Sequence, residues 1–546
     1  MSDAKSLIEF QEALAQRRTN FDNWWQQIAY RVMPSAATFT TSFDTEGTRR
    51  NERLFSGRAV TANERFAAIM DDLLTPRTQR WHVLTAEDEN AQDDQEVGAY
   101  LERVNDLLFS LRYRPGANFA SQKAEGYLSV GAFGNSCMYV DDDMGKGPRY
   151  RHVFLKEVFW SENHQGQIDV VHRRYKMQAR QAVQCAAKYG WELPQKIITA
   201  ATKSPLEEFE FLHCVQPNEE IKTGQMGPKG MPWSSYHVCL EGQKMLGGMG
   251  GYKTFPYAIG RYMLSPRETY ARSPAMAAWG AILTINEEKK TILRAGQKEV
   301  DPPLLLTEDG CLEPFNLRPG ALNHGALSDS GEPLVQPLKV GANIPLGMEL
   351  MALEGQEIDD SFLVTMLKIL TDHPQMTATQ VLEIAQQRAV LLAPIMGRQH
   401  SEDLGPLIAR EFQIAADMTE NAWITDEMPD ALREAGGAYK IEYRSPLARA
   451  MRAQDGIAIM RTFESMPAAI QLDPNAAMVI DVPESLRELA EINGMPSKLI
   501  RDPKVVAALL AQKQEQEQQA AAVASAPEMS QAALNAAKAE QLRGSV

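Results

Sequence analysis

"SPAMAAWGAILTINEEKKTILRAGQKEVDPPLLLTEDG", residues 273–310, decides how the chain is read. It reads as a helix from Ser273 to about Lys298 that runs into two prolines, Pro302 and Pro303, and then into a short apolar run. The prolines end the helix and preset an extended path. Lys290, Arg294 and Lys298 are four residues apart, so they share one helix face; a solvated surface partly paired with Glu287 and Glu288 is the simplest account of them. Residues 299–344 then form a proline- and glycine-rich excursion, with short strand candidates at 303–307 and 333–338. Helical pattern resumes at about 346 and continues to about 369. So small an insert carries little core of its own.

Working outward, residues 6–33 read as a helix. Leu7, Phe10, Leu14, Phe21, Trp24, Trp25 and Ile28 recur at helical spacing, and Pro34 follows the last turn. Further helices are predicted at 57–73, 96–111 and 118–132. The region 134–264 changes to alternating apolar and polar residues around turn signals and reads as β-rich, with one inserted helix at 178–189. "TDHPQMT", 371–377, breaks the helical pattern: Pro374 cannot continue a helix and biases His373 toward extended backbone. A long helix to about 418 follows, kinked at Pro394 and Pro406. Short, proline-punctuated helices occupy 446–511. The Gln/Ala-rich stretch 512–546 has few large apolar residues and reads as disordered or a loose helix. The fold class is therefore α+β, mainly helical.

The chain has 546 residues, 44% hydrophobic and 23% charged, with a formal net charge of −15. This is enough for two to four domains with sizeable cores. An acidic total argues against a general nucleic-acid coat, which would be basic. The start, "MSDAKSLIEFQEALAQRR", has no apolar signal region, and no apolar run is long enough to span a membrane. Five dispersed cysteines point to reduced thiols rather than a disulfide framework.

Four stretches invite a chemical reading. "GGMGGYKT", 247–254, is near a phosphate-binding loop, but Tyr252 replaces its second glycine and a strand pattern follows where a helix is required. His213–Cys214 and His237–Cys239 offer zinc-type ligands, yet adjacent strand residues point to opposite faces. "DDDMGKG", 141–147, has the composition of a strand-to-strand turn. Ser136 lacks a nucleophile-elbow pattern. The residues give no catalytic site, no metal site and no cofactor, and the chain is read as no enzyme.

The stretch 273–310 resembles the corresponding segment of portal proteins, the head-to-tail connectors of short-tailed double-stranded-DNA bacteriophages. "RLFSGRAVTANERFAAIMDDLLTPRTQRWHVL" (53–84), "GNSCMYV" (134–140) and "TATQVLEIAQQRAVLLAPIMGRQHSEDLGPLI" (377–408) are similar as well. The resemblance implies a ring, a homo-oligomer of usually twelve subunits, at one capsid vertex. It implies an α/β wing (1–272), stem helices at 273–298 and 345–369, and a small clip at 299–344 that Pro302 and Pro303 open. A channel loop (370–377), a kinked helix returning to the wing (378–449) and a helical crown (450–511) complete it.

By that resemblance, viral DNA is packaged and ejected through the ring without sequence preference. The partners are the terminase large subunit, the major capsid protein, scaffolding protein and tail adaptor proteins. Assembly occurs in the host cytoplasm and the mature location is the virion. Lys290, Arg294, Lys298, Asp372, His373 and Met376 become channel residues. An acidic protein with a few basic rings avoids the tight, counterion-releasing grip that would stall DNA. The rival readings are a capsid-associated hydrolase or nuclease and a monomeric virion scaffold or adaptor.

Overall fold

A computed structural model describes residues 3–41, 47–88, 91, 94–143, 145–222, 224–306, 316, 318–324, 327–328, 330–338, 341, 343–365, 393–444, 456–467, 480–492, 506, 509 and 512–513. The fold mixes helices and strands, as expected. α1, Ala4–Val32, opens at Asp3, whose carboxylate accepts from the Ala4 N–H at 2.8 Å. Its apolar face, including Leu7, Leu14, Trp25, Ile28 and Val32, is buried. Arg18 is buried on the same face. Its guanidinium donates to the carbonyls of Leu155 (2.7 Å) and Val158 (2.5 Å), pairs with Asp22 at 2.9 Å and lies 3.7 Å over the Phe159 ring. A paired cation can be buried where a free one could not.

α2, Arg58–Leu74, and α4, Phe119–Phe133, pack together, and α3, Gln95–Arg112, packs on the strand His82–Ala86. Gly134 ends α4 at φ 77°, and a Cβ there would lie 2.7 Å from the Ala271 carbonyl oxygen, so glycine is required on both counts. Asn135 next to it accepts from the Ala271 N–H (2.9 Å) and donates to the Ala271 carbonyl (3.0 Å). This fixes where the chain leaves for residues 273 onward. α3 is tied to the returning chain by a buried cluster: Arg112 and Tyr150 both donate to the carboxylate of Glu411, and Arg112 lies 4.6 Å over Trp81.

The β-rich region forms two sheets. A three-stranded antiparallel sheet has the order β10 (Tyr257–Arg261), β2 (Asn135–Asp142), β3 (Pro148–His152). The larger sheet has the order β4 (Val158–Glu162), β5 (Ile168–Gln178), β6 (Glu208–Pro217), β7 (Trp233–Cys239), β8 (Lys244–Met245), with β9 (Gly250–Tyr252) also on β7. Two helices are inserted, not one: α5, Ala179–Tyr189, and α6, Gln195–Lys203. α6 buries only Ile197 and Ala200 against the sheet, too short a pattern to stand out. Two strands distant in sequence also pair, β1 (His82–Ala86) with β13 (Tyr439–Tyr443).

The returning chain passes through a π-helical turn, Gln399–Leu404, into α10, Gly405–Asp417. The turn packs on β10 at Gly260, where a Cβ would meet Ser136 Oγ at 2.7 Å and Asp403 at 3.0 Å. It also brings Glu402 to Arg261, at 2.6 and 2.9 Å. The widened turn sits between the two prolines expected to kink this helix. Of the later helices, 456–467 and Val482–Ile492 fall within the described residues.

Candidate functional site

Residues 273–361 leave this body as a helical hairpin. Ser273 caps a short helix, α7 (Pro274–Ala277), by accepting from the Met276 N–H at 3.0 Å. Ala278 at ψ 13° interrupts it, and α8, Trp279–Val300, follows. α9, Ile344–Ser361, packs back along α8. The two approach closely at Gly347, whose added Cβ would lie 3.0 Å from Ile292. α9 ends at Ser361, and residues 366–369 of the expected helix lie outside the described residues. Phe362 and Val364 turn into the main core and Leu363 takes φ 62°, which a helix cannot include.

The base of the hairpin is buried and its far end is bare. Buried positions are Ala281, Ile282, Ile285 and Asn286 on α8, and Gly355, Ile358 and Asp359 on α9. Asn286 is a three-bond clamp. Its Oδ1 accepts from the N–H groups of Phe55 (2.8 Å) and Ser56 (3.0 Å), and its Nδ2 donates to the Arg53 carbonyl (3.0 Å). Asp359 takes a two-point ion pair from Arg58 at the start of α2. At the far end Leu293, Val300, Leu346, Met348, Leu350 and Leu353 are exposed.

The basic ridge divides into two kinds of residue. Lys290 is half-buried; it pairs with Glu287 at 3.2 Å and lies 5.4 Å from the centre of the Phe55 ring. Arg294 and Lys298 are exposed and have no ion-pair partner among the described residues. Arg294 and Lys298 follow Ile292 by two and six residues, which turns them about 200° and 240° from it and so away from α9. Asp372, His373 and Met376, together with the whole segment 370–377, lie outside the described residues.

Pro302 and Pro303 stand where expected, between α8 and β11 (Leu304–Leu306). β11 pairs antiparallel with β12 (Val335–Pro337), and the Pro303 carbonyl accepts from the Leu338 N–H at 2.9 Å. Both strand candidates of the excursion therefore join each other. Each is only three residues long.

The stretches that invited chemistry have structural employment. Residues 250–252 form β9, and Lys253 pairs with Asp417 at 2.6 Å as the chain enters β10. His213 and His237 face each other across β6 and β7 with rings stacked at 4.3 Å; His213 bonds Tyr257 (2.7 Å) and Ser235 (3.0 Å). Cys214 packs on the opposite face, with Leu7 and Leu212. Asp142 closes the β2–β3 turn by accepting from the Gly145 N–H at 2.9 Å. Among the described residues no three His, Cys, Asp or Glu groups are placed to hold a metal ion, and no helix is long and apolar enough to cross a membrane.

Sequence reading missed Asn286, the Arg58–Asp359 tie and the charge division of the hairpin. α9 carries Glu349, Glu354, Glu357, Asp359 and Asp360 and no cation. The signal was present in the run Glu287-Glu288-Lys289-Lys290: on a helix, adjacent residues point about 100° apart, so Glu288 and Lys289 face different neighbours.

A mixed body carrying a bare helical hairpin with a small β-structured tip is the architecture to be compared with known proteins. The family model described as bacteriophage head to tail connecting protein matches residues 4–500, and the chain belongs to that family. It is similar to the portal protein of Salmonella phage epsilon15, at 24% identity over 544 residues, 98% of this chain and 95% of that protein. It is also similar to the probable portal protein of Bordetella phage BPP-1, at 23% over 511 residues, 92% of this chain and 90% of that protein. A chain of the solved structure "Neck of empty GTA particle computed with C6 symmetry" covers 78% of this chain and 93% of its own, with 12% identity and a TM-score of 0.33; that overlap is too loose to bear on the fold.

Proposed function

We propose that this chain is the portal protein of a bacteriophage virion: a ring-forming conduit at one capsid vertex through which the viral genome is packaged and ejected. The observation that carries the reading is the family match along residues 4–500, joined by two relatives of matching length that bear the portal name. In this reading the body is the wing, α8 and α9 are the stem, and the excursion with β11 and β12 is the clip. Rotational symmetry closes repeated contacts between copies into a ring with an axial channel. The ring is a dodecamer. It docks the terminase large subunit during packaging and tail adaptor proteins afterwards, and contacts major capsid and scaffolding proteins through the wing.

The chain works as a structure, not as a catalyst; the packaging ATPase is a separate protein. Arg294 and Lys298 are exposed cations in an acidic chain, without an ion-pair partner among the described residues, and they are suited to brief, sequence-independent contacts with phosphate. By the family resemblance, Asp372, His373 and Met376 are further channel residues of this proposal. The test is direct. Purified protein imaged in negative stain should show rings with a central hole, and their mass should equal twelve copies of the 60.8 kDa chain. A monodisperse monomer under assembly conditions would refute the reading.

A further inference from the structure

The α8–α9 hairpin is a two-helix ribbon with a cleft along each side. One cleft is lined by Leu283, Glu287, Glu288 and Thr291 of α8 and Leu350 of α9. The other is lined by Ile285 and Lys289 of α8, Met348 and Ala352 of α9, and Arg58 and Arg65 of α2. Leu283, Glu287 and Thr291 are one turn apart along one edge of the helix contact; Ile285 and Lys289 are one turn apart along the other. The clefts therefore open on opposite sides of the ribbon.

Their charges are opposite too. On the first side, one Glu288 carboxylate oxygen is out of solvent with no hydrogen-bond partner. Burial, and then the neighbouring Glu354, push the Glu288 carboxyl above its ordinary range. Lys290 serves Glu287 at the outer edge; neither Glu288 nor Glu354 has an ion-pair partner among the described residues. On the second side Asp359 is already bound to Arg58, while Arg65 and Lys289 have no ion-pair partner among the described residues. Each side also presents exposed apolar surface, Leu350 on one and Met348 on the other. A half-buried acid and cations on opposite faces, none with an ion-pair partner among the described residues, are what a head-to-tail repeat of one chain brings together.

We infer that the hairpin's acidic side, at Glu288 and Glu354, receives the basic side, Arg65 and Lys289, of a second copy of this chain. The contact is heterologous: every copy offers one side of each kind, so pairing propagates around a ring instead of stopping at a dimer. This rests on the ring reading above and adds to it which faces meet.

Charge reversal tests the pairing, with assembly counted by mass photometry near physiological salt. E288K/E354K makes both sides basic and R65E/K289E makes both sides acidic. Each alone is expected to weaken association at least about tenfold while melting like the wild type. A 1:1 mixture of the two is expected to restore rings in which the variants alternate. A single chain carrying all four substitutions is expected to restore them alone. Wild-type assembly by both reversals, or failure of both the mixture and the fourfold variant to recover rings, overturns the pairing. If a reversal lowers the melting temperature, E288Q/E354Q replaces it; weaker association supports the contact and unchanged association overturns it. A wild type that never forms rings defeats the ring reading itself, whereas rings in the wild type and in every variant defeat only the assignment of faces.

Discussion

Replacing Asn286 by leucine asks whether one side chain sets the hairpin on the body. Leucine has nearly the same size, so little cavity is created and the loss is almost wholly polar. Three hydrogen bonds disappear, two accepted at 2.8 and 3.0 Å and one donated at 3.0 Å. Each contributes about 1 kcal/mol net, and the buried Ser56 N–H is left without an acceptor, so the local cost is about 2–4 kcal/mol. If Phe55 and Ser56 exchange their amide hydrogens through local opening, that cost makes exchange roughly 30- to 700-fold faster. Hydrogen exchange read by mass spectrometry on peptides spanning 53–57 is the assay. Peptides from β2 and β10, which do not touch Asn286, serve as the unchanged control. Wild-type exchange at 53–57 in folded N286L protein would refute the clamp, because no other acceptor on α8 is in place to substitute.

Three further outcomes follow from the same geometry. Replacing Lys290, Arg294 and Lys298 together by alanine should leave ring assembly intact and shift stability by no more than about 1 kcal/mol, since two of the three are exposed and have no ion-pair partner among the described residues, yet alter DNA retention in a packaging assay; unaltered retention counts against a channel role. Deleting 303–340 should leave the body folded, because the excursion's described pairing is internal to it, and abolish terminase binding, with unchanged binding as the refuting result. Burial lowers the His172 imidazole to about 4, and burial with the nearby Lys123 does the same for His152; the folded chain then binds fewer protons than the unfolded one between pH 6.5 and 4, so stability is full above that window and falls by up to about 3 kcal/mol per group as pH drops through it. Urea unfolding at pH 7 and pH 4.5 measures this, and equal midpoints would contradict it.

What could be read in the sequence was what local physics encodes. The double proline after α8 and the apolar runs at 303–307 and 333–338 marked a helix stop and two strands, and β11 and β12 fall inside those runs. The N-terminal helices were visible because each buries one face at helical spacing. What was missed depends on distant partners. β1 and β13 become strands by pairing with each other across most of the chain. The end of α9 is decided by Phe362 entering a core built from other segments. Asn286 resembles any polar residue on an exposed helix until residues 53–56 arrive to be clamped. The second inserted helix, α6, offers two buried side chains and no more. The charge division at Glu288 and Lys289 could have been drawn from helical geometry, but its meaning required knowing that α9 lies between them and carries acids without cations.

The distribution of burial along the hairpin explains why assembly and folding are coupled in the proposed ring. α8 is anchored through Ala281, Ile282, Ile285 and Asn286, all near its start, and α9 through Gly355, Ile358 and Asp359, all toward its end. Antiparallel packing places those two buried ends together against the body and leaves Val300, Leu346 and Met348 standing in solvent at 88%, 50% and 63% exposure. Two helices contacting only each other bury one stripe apiece, and the remaining apolar side chains stay wet. At about 25 cal/mol for each Å² of apolar surface removed from water, covering several of them against a second copy supplies a few kcal/mol per contact. The half-buried acid of Glu288 is then the specificity element, since apolar contact alone would tolerate several registers while a carboxylate left without a cation penalises those that bring it none. A hairpin rooted firmly at one end and completed by neighbours at the other keeps its place in the body while its far half takes its order from the ring.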